Sequence, residues 1–110
     1  MSLPNADRAV IDTAKIRDYL LSEIHPVGRF KAAFFNALGY STDRWEVLRD
    51  DLLALARIAP AASEKSRSFG RTFEVDGILT GPSGRSADVR TVLIIRTTED
   101  SARFVTAFPR

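Results

Sequence analysis

The sequence predicts an α+β domain in which three N-terminal helices pack on one face of a C-terminal antiparallel sheet. Apolar residues recur at helical spacing over about residues 13–58, and from about residue 66 to residue 108 they alternate with polar residues. A Gly/Pro turn at residues 81–84 divides the alternating part. We expect a three-stranded sheet, with four strands as the alternative, in a single domain formed by residues 1–110.

The first predicted helix follows an extended stretch over residues 5–10 and ends near Glu23. Asp12 or Thr13 can cap its start. Tyr19 lies beside the face that we expect to be buried, which consists of Ile16, Leu20 and Ile24.

The second predicted helix begins at Pro26, because proline suits the first turn of a helix. This makes His25 the N-cap residue, and Gly39 ends the helix. Its apolar side is expected to hold Phe30, Phe34 and Leu38.

The third predicted helix can be capped by Ser41, Thr42 or Asp43, and Pro60 ends it. Its apolar stripe is formed by Trp45, Leu48, Leu52 and Leu55.

The strands begin near Ser66. In the first, the apolar positions are Phe69, Phe73, Val75 and Leu79. The second runs over about residues 85–97, and its apolar run at residues 92–95 predicts a central strand covered on both faces. A turn near residues 98–101 precedes the last strand, at residues 103–108.

Composition excludes several classes of site. The chain has no cysteine and one histidine, so a disulfide framework, a thiolate nucleophile and a His/Cys zinc site are excluded. No segment reaches the roughly 18 apolar residues of a membrane span, and no signal peptide is visible, so we expect a cytoplasmic protein without membrane association. The net charge is +2, and 13 of the 16 basic residues are Arg, which suits phosphate contacts or a solvated surface.

His25 is the strongest candidate for chemistry, because imidazole is the side chain that titrates near neutral pH. The alternative is a histidine that only caps the helix. Lys31 follows about one turn later at the edge of the apolar stripe, where its cation could stabilise a developing negative charge or extend into solvent.

The strands supply two further candidates. Arg90 shares a strand face with Asp88 and Val92, and a charged residue in so apolar a strand either reaches the sheet rim or pairs with Glu74 or Asp76. Thr106 is expected to face the same way as its neighbours two residues away, Phe104 and Phe108, with a half-buried hydroxyl.

Motifs for nucleotide cofactors, phosphate loops, metal clusters and serine nucleophiles do not occur in this sequence. The turn Gly81-Pro82-Ser83-Gly84 joins two strands, and it is therefore read as turn chemistry. We expect neither a cofactor nor a bound metal.

Three sequence segments resemble an uncharacterised bacterial family of unknown function, and the resemblance spans nearly the whole chain. The segments are His25-Pro26-x-Gly28-x-x-Lys31-Ala32, Gly81-Pro82-x-Gly84-Arg85-Ser86-Ala87-x-Val89-Arg90-Thr91 and Arg103-x-Val105-Thr106-x-x-Pro109. The order of elements is also similar to the barnase–EndoU–colicin–RelE nuclease superfold, whose members, many of them toxins, cleave RNA without metal by activating the 2′-hydroxyl.

The resemblance implies His25 as acid or base, Lys31 and Arg90 as phosphate stabilisers, and Thr106 as an orienting donor. With one histidine, a two-histidine acid/base pair is impossible. A second proton carrier would be Lys31, Glu74, Asp76 or the substrate phosphate.

The leading interpretation is a metal-independent ribonuclease-like domain of a bacterial conflict or toxin–antitoxin system. RNA is then the substrate, and a small neutralising protein is the partner. The alternative is a non-catalytic protein-binding module that uses the same pocket or the sheet edge. The sequence does not specify an oligomeric state.

Overall fold

The computed structural model describes residues 3–21, 29–58 and 61–110, with the backbone alone for residues 7, 29, 30, 61 and 62. Its helices are α1 (Thr13–Lys15), which continues as a π-helical segment over Ile16–Leu20, α2 (Arg29–Ala37) and α3 (Trp45–Ile58). The strands are β1 (Ala61–Arg67), β2 (Gly70–Thr80), β3 (Ser86–Arg96) and β4 (Arg103–Pro109). In the described ranges, no helix is long and apolar enough to cross a membrane.

The sheet has four strands in the order β1-β2-β3-β4, and every neighbouring pair is antiparallel. The predicted α+β class, with helices first and sheet last, is confirmed, and the strand count is four. The predicted first strand is two strands joined by a turn at Ser68 and Phe69. In residues 61–67, apolar and polar residues do not alternate. The spacing of apolar residues therefore did not indicate β1.

Phe69 was expected among the apolar positions of a strand and lies instead in this turn, 55% exposed. The carbonyl of Phe69 accepts a hydrogen bond from the N–H of Thr97 at 3.1 Å, which connects the turn to the end of β3. The side chain is therefore displayed at one end of the sheet.

The N-terminal segment differs from the expected extended stretch, because Ala6–Arg8 form a 3-10 helix. Val10 then makes an isolated parallel bridge to Arg103, donating to the carbonyl of Ala102 and accepting from the N–H of Phe104. This contact places the segment along the outer side of β4.

The predicted buried residues of the first helix, Ile16 and Leu20, are fully buried. The predictions for Ile24, for the helix end near Glu23, and for the helix start at Pro26 lie outside the described residues.

The predicted apolar side of α2 is confirmed at Leu38 and only in part at Phe34, while the side chain of Phe30 lies outside the described part of the chain. Ala32, Phe35 and Leu38 are buried, whereas Phe34 is half-buried with its ring edge against that of Phe35, at a centroid distance of 5.0 Å. Two consecutive phenylalanines fit helical spacing equally well, so the sequence pattern could not decide which one enters the core.

The predicted stripe of α3 is confirmed in position. Leu48, Leu52 and Leu55 are buried, and Trp45 is half-buried at the start of the helix beside the guanidinium of Arg49.

The helices cover one face of the sheet, to which β2 contributes Phe73, Val75 and Leu79, and β3 contributes Val89, Thr91, Leu93 and Ile95. The opposite surface, here called the open face, carries the alternate residues of the same strands, including Glu74, Asp76 and Arg90. Val92 and Ile94 on this face are only half-buried among the described residues, so the expected covering of β3 on both faces is wrong.

Helix α2 ends against the turn between β2 and β3. The N–H groups of Gly39 and Tyr40 donate to the carbonyls of Asn36 and Phe35, which is the Schellman pattern, and Gly39 has φ +100°. The N–H of Ser83 donates to the carbonyl of Leu38, the residue before Gly39, at 3.0 Å. The predicted helix stop at Gly39 is thus confirmed, and the turn satisfies a carbonyl that the helix itself leaves without a partner.

We expect Gly81→Ala to destabilise the protein, because a Cβ at this position would lie 2.0 Å from the Leu38 carbonyl oxygen. Displacing backbone costs about 1–3 kcal/mol in the free energy of unfolding, measured by urea denaturation. The control is Gly84→Asn in the same turn, since nothing lies within 4 Å of a Cβ there and asparagine tolerates its φ of +85°. Equal stability of Gly81→Ala and the wild type would contradict the proposed close contact.

Candidate functional site

Three polar side chains from different segments meet beside strand β4. The ammonium of Lys31 donates to the hydroxyl of Tyr19 at 2.6 Å and to Oγ1 of Thr106 at 2.8 Å. The two hydroxyl oxygens lie 3.4 Å apart. We call these three residues the Lys31 cluster, and it brings together two of the predicted site residues, Lys31 and Thr106.

Tyr19 enters the cluster from the π-helical segment. The N–H of Leu21 donates to the carbonyl of Ile16 at 3.0 Å, which is the hydrogen bond of a π turn. The turn keeps Ile16 and Leu20 buried while Tyr19 remains half-buried at the surface. Such turns occur frequently at functional sites.

Thr106 enters the cluster through a β-bulge. Val92 pairs with Thr106 and the next residue, Leu93, pairs with Phe104, so Val105 is an extra residue in β4. Phe104 consequently lies in the core, while Thr106 shares the open-face side of its partner Val92. The prediction that Thr106 faces the same way as Phe104 is wrong, because a bulge breaks the alternation of a strand.

The surroundings of Lys31 combine aromatic rings with an open groove. Its ammonium lies 4.9 Å from the ring centroid of Tyr19 and 5.8 Å from that of Phe108. A groove of about 650 Å³, within the approximate size range of small-ligand sites, runs past Tyr19 and Thr106, and Lys15, Asp12 and Asp18 also line it. Of the three protons of an ammonium, two are donated to the cluster.

The electrostatics of the cluster act on the phenol. Burial raises the pKa of the Tyr19 hydroxyl, but hydrogen bonds with Lys31 and Thr106, together with the charges of Lys31 and Lys15, outweigh burial and lower the pKa below its usual value. The phenolate form of Tyr19 is therefore easier to reach than in an isolated tyrosine.

Arg90 lies on the open face within an ion cluster. Its guanidinium donates to both carboxylate oxygens of Asp76, at 2.8 and 2.9 Å, and contacts Glu74 at 2.9 Å. Arg110 also reaches Asp76, at 3.3 Å. The sequence expectation that Arg90 pairs with a carboxylate across the hairpin is confirmed, and two cations here face two anions.

Arg90 is a close neighbour of the Lys31 cluster. It pairs with Phe108 and Thr106 pairs with Val92, so Arg90 and Thr106 occupy diagonal positions on one face. The hydrogen bond from Arg90 lowers the pKa of Asp76, against the opposing effect of burial, and the charges of Arg110 and Arg90 lower it further. Asp76 therefore remains a carboxylate under neutral conditions.

His25 lies outside the described residues, so its predicted role stays a prediction. Tyr19 was missed as a site residue, since the sequence placed it only beside a buried stripe. The signal available was a tyrosine one turn from a predicted helix end, which by itself does not indicate a site. In the described part of the chain, no three His, Asp or Glu side chains come together as metal ligands.

Comparison with solved structures gives a similar fold at low sequence identity. A chain of the contact-dependent growth inhibition toxin–immunity protein complex from Klebsiella pneumoniae 342 is 18% identical, with a TM-score of 0.74. The alignment covers 96% of this chain and 96% of that chain. At this identity the likeness shows the fold alone. No curated protein matches the sequence.

A family model matches residues 2–110, nearly the full length of the chain. Its description is a domain of unknown function, which agrees with the predicted resemblance to a family of unknown function, while the three sequence segments stay a prediction. The chain therefore belongs to the family DUF6883, a domain of unknown function.

Proposed function

We propose that this chain is a metal-independent ribonuclease-like domain of a bacterial conflict or toxin–antitoxin system. The observation that carries the proposal is the ammonium of Lys31 held by two hydroxyls, those of Tyr19 and Thr106, whose residues line a groove. A fixed cation beside hydroxyl donors suits a phosphodiester, because negative charge develops on the phosphate oxygens during transphosphorylation.

In the proposed reaction the 2′-oxygen of the RNA attacks the adjacent phosphorus. The bond from the 2′-oxygen to phosphorus forms, the bond to the 5′-oxygen breaks, and a cyclic phosphate results. One group must take the proton of the 2′-hydroxyl and another must protonate the departing 5′-oxygen. Lys31 stabilises the charge on the phosphate, while Thr106, which accepts from Lys31, uses its own proton to orient a phosphate oxygen.

His25 is proposed as one proton carrier and Tyr19 as the second. The lowered pKa of Tyr19 supports this choice, because its phenol exchanges a proton more readily than usual. Asp76 is less suited to the role of acid, since its pKa is lowered by Arg90. Arg90 as a phosphate contact stays a prediction, because three of its N–H groups already serve carboxylates.

The structural neighbour supports the biological setting. It comes from a complex of a growth inhibition toxin with an immunity protein. We infer from this likeness that a small neutralising protein binds the domain, and that the domain acts where RNA is present, in the cytoplasm. The alternative of a non-catalytic protein-binding module predicts that RNA remains intact under every condition of the assay.

The first test is cleavage of total RNA and tRNA by the purified protein with EDTA present. We expect fragments that end in cyclic phosphate, no turnover with His25→Ala, and a loss of about 10²–10³ in rate with Lys31→Met. Methionine keeps the packing volume near Tyr19 and Phe108 but removes the donors and the charge. Arg57→Met is the control, because it removes one exposed cation from α3.

Intact RNA at high protein concentration would reject the ribonuclease assignment. Equal loss of activity in Arg57→Met would show that net charge matters and that Lys31 has no specific role.

The second test titrates the two tyrosines by phenolate absorbance. Tyr19 has a lowered pKa, whereas burial and the hydrogen bond and charge of Asp51 raise the pKa of Tyr40. We expect two separate steps, with Tyr19 first, and a move of the first step to higher pH in Lys31→Met. Tyr40→Phe identifies the steps, because it should remove only the later one.

The sign of each contribution to stability follows from these shifts. Un-ionised Tyr40 stabilises the fold below its unfolded-state pKa, and this stabilisation is lost as pH rises through the folded-state pKa. Ionised Tyr19 contributes above the unfolded-state pKa, and its contribution is lost as pH falls through the folded-state pKa. A first step that stays in place in Lys31→Met would contradict the proposed coupling of Tyr19 and Lys31.

A further inference from the structure

The open face has a second group of cations, at the end of the sheet away from Asp88. Strand pairing sets them in two neighbouring rows. One row joins Arg67, Gly70 and Arg96 across β1, β2 and β3. The next row joins Lys65, Thr72, Ile94 and Arg103 across all four strands. Paired residues of antiparallel strands point to the same side, so the four cations share one surface.

These cations flank a shallow floor. Lys65 and Arg67 lie on one side and Arg96 and Arg103 on the other, separated by about two strand spacings or roughly 10 Å at β1 and β3. Between them lie Gly70, which has no side chain, Thr72 and the half-buried Ile94. A concavity of about 330 Å³ opens at this end of the sheet, where Arg67, Gly70 and Arg96 line it together with Arg71, Thr97 and Glu99, while Lys65, Thr72 and Arg103 do not. We call the four cations with Gly70 and Thr72 the cationic trough.

The charges of the trough are only partly neutralised. Glu99 binds Arg103 at 2.8 Å and lies 4.0 Å from Arg96. Within the described part of the chain, Lys65 and Arg67 make no side-chain ion pair. Glu99 is the carboxylate that binds within the trough, and the charge of Asp12 also acts on Arg103. Glu74 lies in the adjoining row beside Val92, where it pairs with Arg90, and Asp76 and Asp88 lie farther along the same face. The open face is thus positive at one end and balanced or acidic at the other.

The trough lies in line with the Lys31 cluster. Thr106 and Val92 form the row next to that of Arg103 and Ile94, and Arg96 lies four residues along β3 from Val92. Four residues of a strand span about 13 Å, so the trough extends from the cluster over more than one nucleotide. Phe69 is 55% exposed at the end of the trough away from the Lys31 cluster. Proteins that bind single-stranded nucleic acid combine cations with exposed aromatic rings of this kind.

We propose that the cationic trough binds the single-stranded RNA that continues from the phosphate held at the Lys31 cluster. This inference rests on the proposed function, because it assigns RNA to the same face. Arg90 and Arg110 are paired with carboxylates toward Asp88, whereas Lys65 and Arg67 are not, so the strand runs from Thr106 toward Arg96 and Arg67. Phe69 then provides a ring on which a base stacks.

The experiment measures binding of a short, fluorescently labelled 2′-O-methyl oligonucleotide, which lacks the attacking hydroxyl and cannot be cleaved by transphosphorylation. We expect the double variant Arg67→Ala/Arg96→Ala to weaken binding by about tenfold or more, since it removes two charge-assisted contacts to phosphates. The slope of log K against log salt should fall by about 1.4, at about 0.7 per phosphate contact. Phe69→Ala should weaken binding with little change in that slope, because stacking releases no counterions.

The matched control is Arg44→Ala/Arg57→Ala, which removes two exposed cations from the helical side. It should bind as the wild type does. Equal weakening by both double variants would overturn the trough, because binding would then depend on net charge. Unchanged binding by Arg67→Ala/Arg96→Ala would also overturn the trough. So would the absence of binding by the wild type, a result that would favour a protein partner on this face.

The trough and the ribonuclease assignment can fail separately. If the wild type binds the oligonucleotide through Arg67 and Arg96 but leaves unmodified RNA intact, the trough stands and catalysis is rejected. If RNA is cleaved and the trough variants bind and cleave as the wild type does, catalysis stands and the trough is rejected.

Discussion

The contact between the end of helix α2 and the turn that joins β2 to β3 sets the position of the site. The Leu38 carbonyl accepts from Ser83 and lies so close to Gly81 that no side chain fits there. Lys31 lies seven residues before Leu38, about two helical turns away. Because a helix is rigid along its axis, the contact of its C-terminal end with the turn also fixes where the ammonium of Lys31 lies beside strand β4.

The features that could be predicted from the sequence are local ones. The end of α2 at Gly39 and the stripe of α3 follow from a backbone preference and a regular period, which a few neighbouring residues determine. The convergence of Tyr19 and Thr106 follows from a π turn and a β-bulge, and both depend on how distant segments pack. Lys31 and Thr106 were candidates by residue type, but the third member of the cluster could be found only in three dimensions.

Arg90 was identified from the sequence, but the charges that surround it were not. Its place in an apolar strand correctly indicated an unusual residue, and one of the two explanations offered, pairing with a carboxylate, is the one found. The charges around Arg90 balance only because Arg110, which follows β4, also contacts Asp76. The sequence can indicate that a charge needs a partner, but the sum of charges around it requires the strand register.

The two edges of the sheet are protected by different means, and this bears on how copies of the protein meet. Along β4, the backbone of Val10 occupies hydrogen-bonding positions that would otherwise accept another strand. Along β1, the charged residues Glu64, Lys65 and Arg67 discourage a second copy from extending the sheet. A foreign strand with complementary charges would not meet this obstacle at β1. The same edge that opposes self-association can therefore admit a selected partner by strand addition.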